Sequence, residues 1–225
     1  MARQLDRPHT LAMALNLVSW THVYRGEAKI AMELAEAAII LSTRQEFPHW
    51  RAMGILKRGK ARALLGEPES LADVGEGWRA YVATGALLGA VDATADHALR
   101  LGLQGRIAEA LPMLDEALAV TMKGGERHCL AEVHRFRGEL LLRGGVDDGV
   151  AEAEQCFRTA IGVAREQRAK SLELRATTSL ARLLEKQGHR AEARAMLAEI
   201  YNWFTEGFDT ADLRDAKALL DKLST

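Results

Sequence analysis

Gly54-Ile55-Leu56-Lys57-Arg58-Gly59-Lys60-Ala61 is spaced almost as a phosphate-binding loop. Such a loop follows a strand, cradles phosphate on backbone N–H groups, and needs Ser or Thr after the lysine to hold Mg²⁺. Ala61 fills that last position, and Met53, Leu56, Gly59, Ala63 and Leu64 run through the stretch as a helical stripe. The spacing therefore predicts a packed helix and no nucleotide. Seven histidines (His9, His22, His49, His97, His128, His134 and His189) form no His-x-x-x-His pair, and neither Cys129 nor Cys156 joins them at zinc spacing. The two cysteines read as small buried hydrophobes. No Gly-x-Ser-x-Gly elbow offers a nucleophile. A basic run of Arg165, Arg168, Lys170, Arg175, Arg182, Lys186, Arg190 and Arg194 is offset by Glu166, Glu173, Glu185 and Glu192. It reads as surface pairing at i, i+4, not as a phosphate or nucleic-acid patch. Trp203, Phe204 and Phe208 are either a peptide anchor or a plug under the last helix; the plug is the preferred reading, because the end of a repeat array needs a cap.

The elements that would carry these residues are helices. Ala176, Leu180, Leu183 and Leu184 recur at helical spacing, then Gln187-Gly188-His189 intervenes. Ala193, Met196, Leu197, Ile200, Tyr201 and Phe204 form a second stripe. Gly188 suits a helix end that needs positive φ. Two such helices with so short a join fold back on each other. Past Gly207, Asp209 or Thr210 can cap a final helix carrying Leu213, Ala216, Leu219, Leu220 and Leu223.

The unit repeats. Turns fall near Gly26, Gly66, Gly105, Asp148 and Gly188, at steps of 39–43 residues. Ser19, Gly59, Ala98 and Ala181 lie seven before four of these turns, and Ala31, Leu71, Ala110 and Ala193 five after. In the remaining unit the pair is Gly138 and Ala153, with the turn Gly144-Gly145-Val146-Asp147 lengthened. Small residues facing each other let two helices cross closely. The second unit departs from the pattern: Leu71, Gly75 and Trp78 replace the small-large-small set, and Pro68, Gly75 and Gly77 are expected to interrupt its helix. The 225 residues are 48% apolar, enough for a core, and the net charge of −1 argues against a nucleic-acid or membrane-surface role. No apolar run is long enough to span a bilayer and the N-terminus carries no signal-peptide core, so a cytoplasmic location is expected.

Small residues 12 apart, as at Ser19 and Ala31, Ala98 and Ala110, and Ala181 and Ala193, with Leu114, Phe157 or Leu197 four beyond the second small residue of a unit and then Ala117 or Ala160, resemble the tetratricopeptide repeat (TPR). The segments 131–142, 170–183 and 201–213, with Glu46-Phe47-Pro48-His49-Trp50 and Gly124-Gly125-Glu126-Arg127, more narrowly resemble the C-terminal TPR region of large bacterial signalling proteins. Those proteins and related transcriptional regulators carry a cyclase or DNA-binding domain and an ATPase ahead of the array. Met1 starts close to the first helix, so the chain is expected to be a fragment, a truncated product or a stand-alone version of that region.

The resemblance implies an all-α, right-handed α-solenoid. Its single TPR-like domain over 1–225 would hold five helix pairs, near 8–44, 47–84, 88–123, 127–168 and 170–205, and a capping helix over 209–223. First helices of such arrays line a concave wall. Residues three before and one after the small position would point inward: Asn16 and Trp20, Leu56 and Lys60, Ala95 and Leu99, Arg135 and Glu139, Thr178 and Arg182. The implied function is non-enzymatic and without cofactor, metal or membrane. It is an interaction module that binds a peptide or partner domain, upstream cyclase or ATPase domains included, and so regulates signalling or transcription. The alternative is a sensor holding an inducer or nucleotide in the same groove. Trp20, Arg135 and Arg182 are the expected anchors, and Arg165, Lys186 and Arg194 the outward charges that matter little.

Overall fold

The computed structural model of the protein describes residues 7–86, 89–122, 127–145 and 149–224. The N-terminal run through Asp6, Gly124-Gly125-Glu126 and the turn residues Val146, Asp147 and Asp148 lie outside the described residues. Among the described residues there are eleven helices and no strand: α1 Pro8–Tyr24, α2 Ala28–Arg44, α3 Pro48–Leu65, α4 Ser70–Ala83, α5 Ala90–Leu103, α6 Ile107–Met122, α7 Leu130–Gly144, α8 Gly149–Glu166, α9 Lys170–Lys186, α10 Arg190–Tyr201 and α11 Ala211–Ser224. The chain forms two compact units, Met1–Arg100 and Leu101–Thr225.

Local sequence sets the ends of the helices. Pro8 and Pro48 open α1 and α3, where a missing N–H costs nothing. Gly26, Gly66, Gly105 and Gly188 close the first helix of their pairs, each at positive φ. The joins from α2 to α3 and from α8 to α9 are different: Glu46 and Arg168 take up φ 55° with a full side chain.

In unit 1 the first pair crosses as the small residues require. Ser19 and Ala31 are both fully buried, and the Ser19 hydroxyl donates to the Ala31 carbonyl at 2.8 Å. The second pair corrects two expectations. Helix α4 runs unbroken through Gly75 and Gly77. Gly59 faces Val74 instead of Leu71: a methyl at Gly59 would lie 2.7 Å from Val74 Cγ2 and 2.8 Å from its N. A methyl at Gly77 would lie 2.7 Å from Leu56 N. The glycines that weaken α4 in isolation thus let α3 and α4 touch backbone to backbone, a contact closer than a side chain permits.

Unit 2 has a continuous core. Leu174, Leu180, Leu184 and Leu197 are essentially fully buried, each burial contributing about 2 kcal/mol. Ala181 and Ala193 sit in the same cluster at 1% and 0% exposure. Phe157 covers Gly138, where a methyl would lie 2.6 Å from its ring. Helix α11 closes the unit with Leu213, Ala216, Leu219 and Leu223 buried. Thr210 precedes it, its hydroxyl donating to the Gly207 carbonyl at 2.7 Å. The aromatic plug is only Phe204, which packs on the core; Trp203 is 57% and Phe208 46% exposed. The leucines of α11 already cover the apolar end, and two further rings find no space beneath it.

Candidate functional site

The expected wall residues fall into two groups by burial. Asn16, Leu56, Ala95 and Thr178, each three before a small position, are buried and cannot themselves form a surface. Asn16 shows why: its amide donates to Ala12 O at 2.9 Å and to Trp50 O at 3.1 Å, tying α1 to α3. Thr178 donates back to Leu174 O. Arg135 is half-buried and gives two hydrogen bonds, 3.1 and 2.8 Å, to Glu132, a buried carboxylate on its own helix. Within the fold these side chains are taken up by packing and by hydrogen bonds to backbone or carboxylate groups.

Of the residues one after the small position, Trp20, Leu99 and Glu139 are half-buried, Arg182 is exposed and Lys60 is buried, and Trp20, Lys60 and Glu139 share a contact the sequence did not announce. Each reaches the residue two before the small position on the next first helix. Lys57 Nζ stands 4.6 Å from the centre of the Trp20 ring. Lys60 Nζ lies 3.7 Å from Asp96 Oδ1. The Ser179 hydroxyl donates to Glu139 Oε1 at 2.7 Å. Arg182 extends the series by donating to Asp215 of α11. Leu99 is half-buried. The i to i+36, i+37 or i+40 spacing of these contacts is visible in the sequence once the repeat is aligned, and an alternation of complementary residue types at those steps is the signal that would find them.

In unit 1 this ladder includes a buried polar cluster between α1, α3 and α5. Lys57 and Lys60 are 3% and 7% exposed. Asp92 Oδ2 lies 3.0 Å from Lys60 Nζ and 3.8 Å from Lys57 Nζ. Arg100 Nη2 lies 3.7 Å from Asp96. Burial, and then the charge of Lys60, push Lys57 down to about 8, against the pull of Asp92 and Asp96. Burial acts on Lys60 too, but Asp92 and Asp96 outweigh it and hold this ammonium above the usual lysine range. The near-phosphate-loop segment is therefore the middle of α3. Its glycines face α2 and α4, and its lysines are used on carboxylates of α5.

The other candidates are placed plainly. The basic run is largely paired across helices: Arg165 and Lys170 both hold Glu173 at 2.7 Å, and Arg175 holds Asp212 at 2.7 Å. Arg165 is thus tied to a buried carboxylate and is not an idle outward charge. Cys156 lies under Arg137, and burial pushes its thiol up although Arg137 opposes this. His9 accepts from Trp50 Nε1 at 2.9 Å. An open cleft of about 400 Å³ lies beside Ser42, Thr43, Glu46, Phe47, Pro48, Arg51 and Ala80. Among the described residues no three His, Cys, Asp or Glu side chains converge to hold a metal ion, and no helix is long and apolar enough to cross a membrane.

Comparison with known proteins places the fold. No family profile matches the sequence. An uncharacterised protein of Rhizobium meliloti (strain 1021) is 31% identical over 148 residues, covering 59% of this chain. The chain spans only 14% of that relative's length. Among solved structures, it is similar to the TPR-like repeats of a putative kinesin light chain of Podosopora anserina, at TM-score 0.56 and 17% identity over 87% of this chain and 94% of that one. It is also similar to a Rap protein crystallised in complex with competence and sporulation factor, at TM-score 0.61 and 13% identity over 97% of this chain and 64% of that one. The fold is all-α, of TPR-like helical repeats.

Proposed function

We propose that this chain is a non-enzymatic interaction module that binds a protein segment along the first-helix faces of its units. The observation that carries the reading is the ladder. Trp20, Glu139 and Arg182 leave part of each side chain open while a neighbouring helix fixes its position, so they meet a partner without losing further rotamer freedom. Extended faces of helical repeats bind through many such shallow contacts. The complex of the Rap protein with competence and sporulation factor supports a bound factor as the partner. The match to a small part of a much longer relative supports an arm of a larger protein, and the resemblance of segments 131–142, 170–183 and 201–213 carries the reading of a cyclase–ATPase–TPR signalling protein with the upstream domains as one partner. The soluble, cytoplasmic setting belongs to the same reading.

The test is affinity capture on the immobilised full chain, from extract of the source cell or with cyclase and ATPase domains supplied separately, followed by alanine substitution. Trp20→Ala and Arg182→Ala should reduce the retained species at least tenfold, the scale of a hot spot. Lys186→Ala and Arg194→Ala should leave it unchanged. Loss with the second pair alone moves the site off the first-helix faces. A second reading, a small-molecule sensor, is favoured by the cleft beside Ser42, whose buried hydroxyl has no hydrogen-bond partner among the described residues. A nucleotide or sugar that raises the melting temperature of the protein but not of Arg51→Ala would select it.

A further inference from the structure

The first helix of the chain is built to the same register as the first helices that follow it. Pro8-His9 stands 40 residues ahead of Pro48-His49, as Ser19 stands ahead of Gly59. Later first helices are held from behind at two places. The residue two before the small position meets the preceding first helix: Lys57 on Trp20, Asp96 on Lys60, Ser179 on Glu139. On α3 the residue five before it also meets the preceding second helix: a methyl at Gly54 would lie 3.2 Å from Ala35 O and 2.8 Å from Ile39 Cγ1.

On α1 those two places are Leu17 and Ala14. Leu17 is 43% exposed, and its neighbours on the face, Met13 and Val18, are 37% and 46% exposed. From Pro8 to Tyr24 the helix has no Asp, Glu, Lys or Arg. Its exposed positions are His9, Thr10, Met13, Leu17, Val18 and Thr21, so three large apolar residues stand together in the middle of the face, the mark of an interaction surface. Helix α11 shows the contrary pattern, leaving Arg214, Asp215, Lys217, Asp221 and Lys222 exposed.

We propose that the free face of α1 is the docking surface for one further TPR-like helix pair, stacking on α1 as α1 and α2 stack on α3. This continues the α2–α3 interface by one step. The chemistry of the partner follows from the face. Its second helix carries small residues at both the Ala35 and the Ile39 places, because Ala14 brings to the contact the methyl that Gly54 lacks. Its first helix carries an apolar or aromatic residue over Leu17, as Trp20 lies over Lys57. A charge there would be buried against leucine without a partner.

The test is the full chain with residues 8–47 copied in tandem ahead of Pro8, the copy carrying Ile39→Ala, so that it supplies Trp20 and Ala35 and leaves room for Ala14 of the original helix. Amide hydrogen exchange at Leu17 and Val18 of the original α1 should slow at least tenfold, towards the rates within α3. Leu17→Asp in the original α1 should abolish this protection, and Val82→Asp, on an exposed site of α4, should not. Exchange at α1 that stays fast overturns the proposal, whether the copied pair is folded or unfolded, since either shows that it does not dock. A concentration-dependent dimer of the unmodified chain, broken by Leu17→Asp, also overturns it by giving the face to a second copy.

Discussion

The lysine at position 57 shows how far burial dictates chemistry here. Its pKa of about 8 in the fold lies below the ordinary 10.5, so between those values the unfolded chain holds a proton that the folded chain has released. Stability from this group therefore rises with pH from about 8 to about 10.5 and is flat below that window. Lys60 acts in the opposite sense only above its ordinary value, where its raised pKa makes the fold lose stability as the proton leaves. Lys57→Met should be more stable than the parent at pH 7 and should lack the rise above pH 8, as denaturant melts at several pH values will show. Glycine is the other residue whose role depends on its surroundings. Gly162 lies on the exposed side of α8 with nothing within 4 Å of a methyl, so Gly162→Ala should stabilise the protein by roughly 0.5–1 kcal/mol. Gly59→Ala drives a methyl into Val74 and should cost about 1–3 kcal/mol, measured in the same urea melts.

At the scale of the elements, helix and turn are legible because their causes are local. Apolar spacing, the prolines at 8 and 48 and the glycine after each first helix mark the pairs without reference to anything distant. Crossings between helices are legible only where side chains decide them. Ser19 with Ala31 can be read from their small size. Gly59 with Val74 cannot, because two glycines allow an approach that shifts the expected contact away from Leu71. The two joins without glycine give a prediction of their own. Arg168 is exposed and holds φ 55°, a conformation that costs a non-glycine residue about 1–2 kcal/mol. Arg168→Gly should return about 1 kcal/mol of that, seen as a higher urea midpoint. In the last pair, Ala181→Leu overfills the crossing with α10 and should cost roughly 1–3 kcal/mol by the same measurement.

For the molecule as a whole, circular dichroism should show a predominantly helical spectrum; a strand content near the ~20–25% of average globular proteins would contradict the fold. The candidate site is less legible than the fold because exposure is not a local property. Asn16, Leu56, Ala95 and Thr178 have the spacing of a wall but are buried, and Asn16 is tied to the Trp50 carbonyl 34 residues along the chain. Trp203 and Phe208 have the composition of a core and stand in solvent, since α11 had already closed that end. The contacts between successive first helices have a consequence for how the chain finds its fold. Repeat proteins risk pairing a helix with the wrong copy of its neighbour, since all neighbours look alike. Here no two junctions match: tryptophan meets lysine, lysine meets aspartate, glutamate meets serine, arginine meets aspartate. Were α9 to lodge against α3, Arg182 would confront Lys57, cation against cation. Lys60 and Arg182 both take an aspartate, so the keying is partial, and the order of the helices is written into incompatibilities between some junctions as well as into their affinities.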